Sequence, residues 1–264
     1  MPSAGYLELP DGRLEYRRCG PGPEAAPTLV LLHEGLGSAG LWRDLPEALA
    51  RRTGFGVFAY SRFGYAGSAP RRLPWPLDFM HREAIDVLPR VLSAAGIGRH
   101  VLVGHSDGAS IALIHAGEAA SDDLLGLVLE APHVFTEPGG LAAIAETARR
   151  YRDGGVRQRL ARYHGDNVDI AFNGWAGAWL DPGFKHWNLE RHLAGIKVPA
   201  LVIQGLADSY GTVAHLEAIR AQAGGRVETL TIDDCGHAPQ REARTRYLDA
   251  VAAFVEGLAA PPKS

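Results

Sequence analysis

The stretch VLVGHSDGASIA, residues 101–112, combines an apolar run, a short polar turn and a helix-like pattern. The apolar run is typical of a buried strand, and the spacing of the apolar residues after the turn favours a helix. Ser106 lies in the turn between Gly104 and Gly108, and two glycines without a Cβ let a strand and a helix approach closely. The pattern therefore predicts a strand, a sharp turn that exposes the Ser106 hydroxyl, and a helix.

Similar apolar runs occur on both sides of this stretch, and segments with helical spacing separate most of them. The sequence opens with a predicted hairpin whose strands, residues 6–9 and 14–18, flank an Asp-Gly turn. The other predicted strands are residues 28–32, 57–60, 124–129, 199–204 and 227–232. Predicted helices cover residues 41–52, 78–95 (capped by Asp78), 212–223 and 241–258. This alternation implies right-handed crossovers and a mainly parallel sheet in an α/β fold.

The strand rhythm stops between residues 135 and 193. Helices are predicted over residues 141–152 and 156–163, and three of the five tryptophans, Trp175, Trp179 and Trp187, follow them. Such an apolar concentration has to cover something or be covered. We interpret residues 134–194 as a helical lid and residues 1–133 with 195–264 as the core. The alternative is a helical insertion that packs a small core of its own.

Composition excludes several classes of partner. The chain has 264 residues, 27 Lys and Arg, 30 Asp and Glu, and a formal net charge of −3, so nucleic acid or an anionic membrane is not the expected partner. Two cysteines and the lack of a run of about 20 apolar residues predict a cytoplasmic protein without disulfides or membrane spans. The eleven histidines lack metal-ligand spacing, and no G-x-G-x-x-G follows the first long strand, so neither a metal nor another cofactor is expected. Residues 260–264 are expected to form a loose tail. The sequence leaves open whether the protein forms a homo-oligomer.

The residues that follow predicted strands carry the candidate chemistry, because ligands of parallel sheets bind at the carboxyl ends of the strands. Ser106, Asp208 and His237 occupy three such ends. A serine hydroxyl is a weak nucleophile until a base takes its proton, which is work for His237. A carboxylate must hold that imidazole in the correct tautomer, and Asp208 is the favoured candidate. Glu130, after another strand, is the rival acid, although a hinge carboxylate is its favoured interpretation.

The order Ser106, Asp208, His237, with the GHSDG turn and a preceding His33-Glu34-Gly35, resembles the α/β-hydrolase superfamily over nearly the whole chain. Within it, the chain resembles the lid-bearing carboxylesterases and the carbon–carbon bond hydrolases of aromatic ring cleavage. The resemblance implies a mostly parallel eight-stranded sheet flanked by helices, with the lid inserted after the sixth strand. It also implies that the backbone N–H groups of Gly35 and Asp107 bind the oxyanion.

Two residues depart from that resemblance. Asp107 stands where relatives often carry an apolar residue, which backbone donation permits. Glu34 stands where His-Gly is the commoner pair, and a carboxylate facing the oxyanion would repel it. We expect Glu34 to turn away and pair with Arg62 or backbone donors, with a direct role as the alternative. His105 is expected to be a packed structural neighbour. The candidate substrate-binding residues are Glu34, His133, Trp175 and Trp179.

The leading functional hypothesis is a serine hydrolase that cleaves a small carboxylic ester through an acyl-enzyme, without a cofactor. One alternative keeps the same catalytic residues but changes the bond that is cleaved. That bond is either a carbon–carbon bond beside a ketone, or the bond of a lactone or an amide. A second alternative is a small-ligand receptor with a vestigial triad, since a fold alone does not prove turnover.

Overall fold

The computed structural model describes residues 3–259, and the predicted tail lies outside them. The strands are β1 (Ser3–Leu9), β2 (Gly12–Cys19), β3 (Thr28–Leu32), β4 (Gly56–Tyr60), β5 (His100–His105), β6 (Leu124–Glu130), β7 (Ala200–Gly205) and β8 (Val227–Ile232). The helices are α1 (Leu45–Thr53), α2 (Phe79–Arg82), α3 (Leu88–Ala94), α4 (Asp107–Glu118), α5 (Pro138–Arg152), α6 (Gly155–His164), α7 (Val168–Trp179), α8 (Glu190–Leu193), α9 (Ala214–Gln222), α10 (Pro239–Glu242) and α11 (Arg244–Ala259).

The eight strands form one sheet in the order β1-β2-β4-β3-β5-β6-β7-β8. Strand β2 pairs antiparallel with β1 and β4, and the remaining pairs are parallel. Every residue of β3, β4, β5 and β7 is buried, as continuous apolar runs require in a sheet covered on both faces. The predicted fold is therefore confirmed.

Successive residues of the central strands supply the two sides of the core. Val30 and Leu32 point into the layer that contains α4 and the inserted helices, whereas Leu29 and Leu31 point into the layer beneath α1 and α11. This alternation follows from the period of two along a strand. The parallel pairing of β3, β5, β6, β7 and β8 places their carboxyl ends at the same end of the sheet.

The helical segment after β6 is closed at its base. Phe135 and Asn188 form an antiparallel bridge, and the Leu189 N–H donates to the Val134 carbonyl at 2.6 Å. The chain thus leaves and re-enters the core at neighbouring points, with α5 to α8 between them. Helix α7 was missing from the sequence-based prediction. No helix within residues 3–259 combines the length and the apolar character needed to span a membrane.

The predicted Asp78 cap is wrong. Asp78 makes no side-chain bond to the helix backbone because its own backbone, at φ −89° and ψ 19°, is not in the extended conformation of a capping residue. Its carboxylate accepts instead from Arg82 Nε at 2.8 Å. The helix from residue 79 also contains a π-helical turn, Glu83–Val87, between α2 and α3.

Candidate active site

Ser106 lies at the junction of β5 and α4 in a strained backbone conformation, with φ 53° and ψ −118°. Its N–H donates to the Glu130 carbonyl at 2.9 Å, which anchors the turn to β6. A Cβ on Gly108 would lie 1.9 Å from the Leu32 carbonyl oxygen, and one on Gly104 would lie 2.4 Å from the Gly108 carbonyl oxygen. The two glycines therefore permit the close strand–helix approach that presents the serine side chain.

His237 and Asp208 form a hydrogen-bonded pair between the loops after β8 and β7. The His237 Nδ1 lies 2.8 Å from Asp208 Oδ2, and the aspartate side chain is only 1% exposed. Asp208 also accepts from the Tyr210 N–H at 2.8 Å and from the Gln204 amide at 3.0 Å. Burial raises the pKa of Asp208, but the hydrogen bond and charge of His237, with the Tyr210 and Gln204 bonds, lower it overall. The carboxylate therefore stays ionised beside the imidazole.

Ser106 and His237 line the same cavity, which we name the Ser106 cavity. Its lining residues are Glu34, Gly35, Leu36, Ser106, Asp107, His133, Ile144, Trp175, Trp179, Tyr210 and His237. Its volume is about 120 Å³, somewhat below the ~150 Å³ of a cavity that holds one benzene molecule. No hydrogen bond joins the Ser106 hydroxyl to His237 in the described chain. Catalytic hydrogen bonds are often loose before substrate binds.

Two backbone N–H groups in this cavity have no acceptor among the described residues. They belong to Gly35, in the loop after β3, and to Asp107, the first residue of α4. The Gly35 loop is held from behind, where the Tyr65 hydroxyl donates to the Gly35 carbonyl at 2.9 Å and Arg62 donates to the Glu34 carbonyl at 3.1 Å. Two free donors on braced backbone can stabilise a developing negative charge.

Trp175 of α7 packs directly on Gly35. A Cβ on Gly35 would lie 2.1 Å from Trp175 Nε1, so no larger residue fits there without displacing a buried indole. Trp179, one turn later, donates its indole N–H to Asp107 Oδ1 at 3.1 Å. Helix α7 thus places two aromatic rings against the two residues that carry the free N–H groups.

The expected pairing of Glu34 with Arg62 is wrong at the level of the side chain. Arg62 donates to the backbone carbonyls of His33 and Glu34, whereas the Glu34 carboxylate lies 3.5 Å from His105 Nδ1. Burial works against both charges, but their hydrogen bond and attraction outweigh it: the pKa of His105 rises to about 9 and that of Glu34 falls well below its ordinary value. His105 Nε2 also contacts the His237 carbonyl at 2.6 Å. The buried His105 therefore ties the Glu34 loop to the His237 loop.

Glu130, the rival acid, is fully buried and accepts a hydrogen bond from Tyr247 of α11. Burial raises the pKa of Glu130 to about 7, even though the His105 charge and the Tyr247 bond lower it. Asp208, and not Glu130, is therefore the carboxylate that is hydrogen-bonded to His237. Glu130 is the buried last residue of β6, just before the inserted segment, so its interpretation as a hinge carboxylate stays a prediction.

His133 lies between the cavity and the acid loop. Its ring packs edge-on against Trp179 and His215, with centroids 5.4 and 5.3 Å apart, and lies 5.7 Å from the His237 ring. Burial and the neighbouring His237 and His215 lower the pKa of His133 well below its usual value. It is therefore a neutral side chain in the cavity wall.

All the substrate-binding candidates line the Ser106 cavity, but three lining residues were missed by the sequence analysis. Leu36 and Tyr210 follow residues that were singled out, so their position in the same loops could have suggested them. Ile144 lies in a predicted helix, and no local pattern marks it as the residue that reaches the cavity. Among residues 3–259, no group of three or more His, Cys, Asp or Glu side chains is placed to hold a metal ion.

Comparisons with known proteins agree with this architecture. The sequence profile of the alpha/beta hydrolase family matches residues 29–253. The chain is 28% identical to the polyketide synthase ThaQ of Burkholderia thailandensis over 96% of its own length, although it spans only 13% of that relative.

Two solved structures share the fold over nearly their whole length. One is a hydrolase from Pseudomonas aeruginosa PA01, with a TM-score of 0.73, 24% identity and coverage of 96% of this chain and 98% of that one. The other is an esterase from Exiguobacterium antarcticum, with a TM-score of 0.74, 18% identity and coverage of 96% and 100%. Since the profile match covers most of the sequence, the chain belongs to the alpha/beta hydrolase family.

Proposed function

We propose that the protein is a serine hydrolase that cleaves a small carboxylic ester through an acyl-enzyme intermediate. One observation carries the proposal: a single cavity is lined by Ser106, held at a positive φ, and by His237, whose Nδ1 is bonded to Asp208. A strained turn, an imidazole and a buried carboxylate in this order form the constellation that activates a serine hydroxyl.

In the first step, the Ser106 Oγ attacks the ester carbonyl carbon and its proton passes to His237 Nε2. The Nδ1–H of His237 donates to Asp208, so Nε2 carries the lone pair that accepts this proton. Because the hydroxyl is not bonded to His237 in the free protein, the Ser106 side chain turns toward the imidazole as substrate fills the cavity.

The tetrahedral intermediate carries a negative oxygen, which the free N–H groups of Gly35 and Asp107 bind. Collapse of the intermediate breaks the bond to the alcohol oxygen, and His237 returns its proton to the departing alcohol. Water then attacks the acyl-enzyme with His237 again as the base, which releases the acid and restores Ser106.

We also propose that residues 134–194 act as the lid of this site. Three of the residues that line the cavity belong to this segment: Ile144, Trp175 and Trp179. The segment also touches the acid loop, where Thr147 Oγ1 lies 3.1 Å from the Tyr210 hydroxyl. The lid therefore sets the shape of the small cavity and with it the size of the acyl or alcohol group.

The proposal is tested by fluorophosphonate labelling and by pH-stat hydrolysis of short ethyl esters with wild type, Ser106→Ala and Ser93→Ala. Ser93 is exposed on α3 and is the matched control. Alanine and serine both carry a Cβ, so Ser106→Ala leaves the strain at the positive φ unchanged. We expect labelling and hydrolysis in wild type and Ser93→Ala, and neither in Ser106→Ala.

Equal labelling of wild type and Ser106→Ala would refute the nucleophile. Labelling without hydrolysis of any ester, but with cleavage of a ring-fission diketone, would move the reaction to a carbon–carbon bond. Tight ligand binding with neither labelling nor turnover would identify a receptor instead of an enzyme.

A further inference from the structure

Asp107 carries a carboxylate that the proposed reaction does not use. The residue is 1% exposed and lines the Ser106 cavity directly beside the serine. Its Oδ1 accepts from Trp179 Nε1 at 3.1 Å, whereas its buried Oδ2 has no hydrogen-bond partner in the described chain. A buried carboxylate oxygen without a donor is costly, so this atom is an unfilled acceptor on a residue that lines the cavity.

Neither Arg62 nor His105, whose charges lower the pKa of Asp107, is hydrogen-bonded to its carboxylate. Arg62 is buried and its charge lowers the pKa of Asp107, but its N–H groups bond to the carbonyls of His33 and Glu34. Burial outweighs Arg62 and raises the pKa of Asp107 to about 6, with the Glu34 charge adding to the rise. The side chain is therefore mainly ionised at neutral pH and still lacks a second donor.

This charge also lies close to the site where the reaction builds negative charge. The backbone N–H of Asp107 is one of the two donors proposed for the oxyanion, and a carboxylate on the same residue repels that oxyanion. A cation on the substrate, placed against Oδ2, removes the repulsion. Trp175 and Trp179 line the same cavity, and the face of an indole ring attracts a cation.

We infer that the Ser106 cavity selects esters that carry a protonated amine close to the scissile carbonyl, and that Asp107 Oδ2 accepts a hydrogen bond from this amine. The inference rests on the proposed ester hydrolysis and names its substrate class. Asp107 is then a specificity-determining residue through its side chain, in addition to the role proposed for its backbone.

The test compares three ethyl esters of nearly equal size: glycine ethyl ester, ethyl glycolate and ethyl propanoate, which place an ammonium, a hydroxyl or a methyl group at one position. A second set, 2-aminoethyl, 2-hydroxyethyl and propyl propanoate, places the same groups on the alcohol side. Assays at about pH 7 keep most of the amine protonated. The enzymes are wild type, Asp107→Asn and the exposed-site control Asp122→Asn. Asparagine keeps an oxygen for Trp179 and replaces the free acceptor with a donor.

The measured quantity is the kcat/KM of the ammonium ester divided by that of its methyl counterpart, so a general loss of activity cancels. A charge-assisted hydrogen bond predicts that Asp107→Asn lowers this ratio about 10- to 100-fold in at least one set, while Asp122→Asn leaves it unchanged. An equal loss on all three esters of both sets would overturn the inference. A preference for the hydroxyl esters that depends on Asp107 would replace the amine with a neutral donor and overturn it as well.

Binding separates this inference from the proposed function. Titration of Ser106→Ala with glycine N-ethylamide and N-ethylpropanamide, followed by tryptophan fluorescence, needs no turnover. Tighter binding of the ammonium ligand that is lost in the Ser106→Ala, Asp107→Asn double variant supports the amine site even if no ester is hydrolysed. Equal binding of both ligands would refute the amine site even if ester hydrolysis is found.

Discussion

The buried ion pair between His105 and Glu34 predicts a specific dependence of stability on pH. The ordinary histidine pKa of 6.5 rises to about 9 at His105. Between these two values the folded protein holds a proton that the unfolded chain has released. The stabilisation is therefore fully present below about pH 6.5 and is lost as the pH rises through about 9. At 1.36 kcal/mol per pKa unit, the free energy of unfolding falls by about 3 kcal/mol across this window.

The perturbation that isolates this contribution is His105→Gln. Glutamine does not titrate, and its amide can still donate to the His237 carbonyl, the bond that His105 makes at 2.6 Å. We expect the variant to be less stable than wild type at pH 6.5, since Glu34 loses its partner, and the difference to shrink as the pH approaches 9. Exposed His186→Gln is the control, and its stability should parallel that of wild type.

The assay is urea unfolding of the three proteins at a series of pH values from about 6 to 9.5. The interval above about pH 7.5 is the most informative, because burial raises the pKa of Glu130, whose charge acts on His105, to about 7. Other titrating groups are shared by the three proteins and cancel in the difference. Parallel curves for wild type and His105→Gln between pH 7.5 and 9 would show that His105 is neutral in the folded protein and would refute the ion pair.

Three further outcomes are expected. Asp208→Asn should lower kcat/KM by roughly 10³- to 10⁴-fold with little change in melting temperature, because an amide does not hold the imidazole in the reactive tautomer; near-normal activity would contradict the assigned acid. Gly108→Ala should destabilise the fold by roughly 1–3 kcal/mol in urea unfolding, since its Cβ would lie 1.9 Å from a β3 carbonyl oxygen. Gly139→Ala, where a Cβ meets nothing within 4 Å, should not, and equal effects would count against the strand–helix contact. Trp179→Ala should lower the melting temperature, because a buried indole is lost, and should also change the ratio of kcat/KM between short and long esters; equal losses on all esters would favour a merely structural insertion.

The features that the sequence predicted best are those that local pattern determines. Residues 28–32 and 227–232 are strands with the predicted bounds: the first is a continuous apolar run that is buried throughout, and the second mixes apolar with polar residues and is only partly buried, and both end at turn formers. The Ser106 turn was also predictable from local sequence, since Gly104 and Gly108 leave the space that the close strand–helix approach requires here. Such features depend on neighbours in the sequence and need no knowledge of distant contacts.

The features that were missed depend on contacts between distant parts of the chain. Glu34 and His105 are far apart in sequence, so no spacing rule joins the loop after β3 to the end of β5. Arg62 does lie near Glu34, as expected, but its guanidinium donates to the backbone carbonyls of His33 and Glu34 instead of the Glu34 carboxylate. Helix α7 escaped prediction because its glycines weaken the helical pattern, and packing on Gly35 stabilises what propensity does not.

The carboxylates around Ser106 show why residue type alone could not assign their roles. Glu34, Asp107, Glu130 and Asp208 are all buried or partly buried near the same sheet edge, and any of them could have been the acid of a triad. Their partners separate them: one faces the proposed catalytic imidazole, one a second buried histidine and one a tyrosine of the last helix. The fourth, Asp107, accepts a hydrogen bond from an indole N–H at one oxygen and has no donor at the other among the described residues. The hydrogen-bond partners therefore separate the proposed catalytic acid Asp208 from Glu34, which connects two loops, and from the buried Glu130. Asp107 lacks a partner at one oxygen, and we propose that a ligand supplies it.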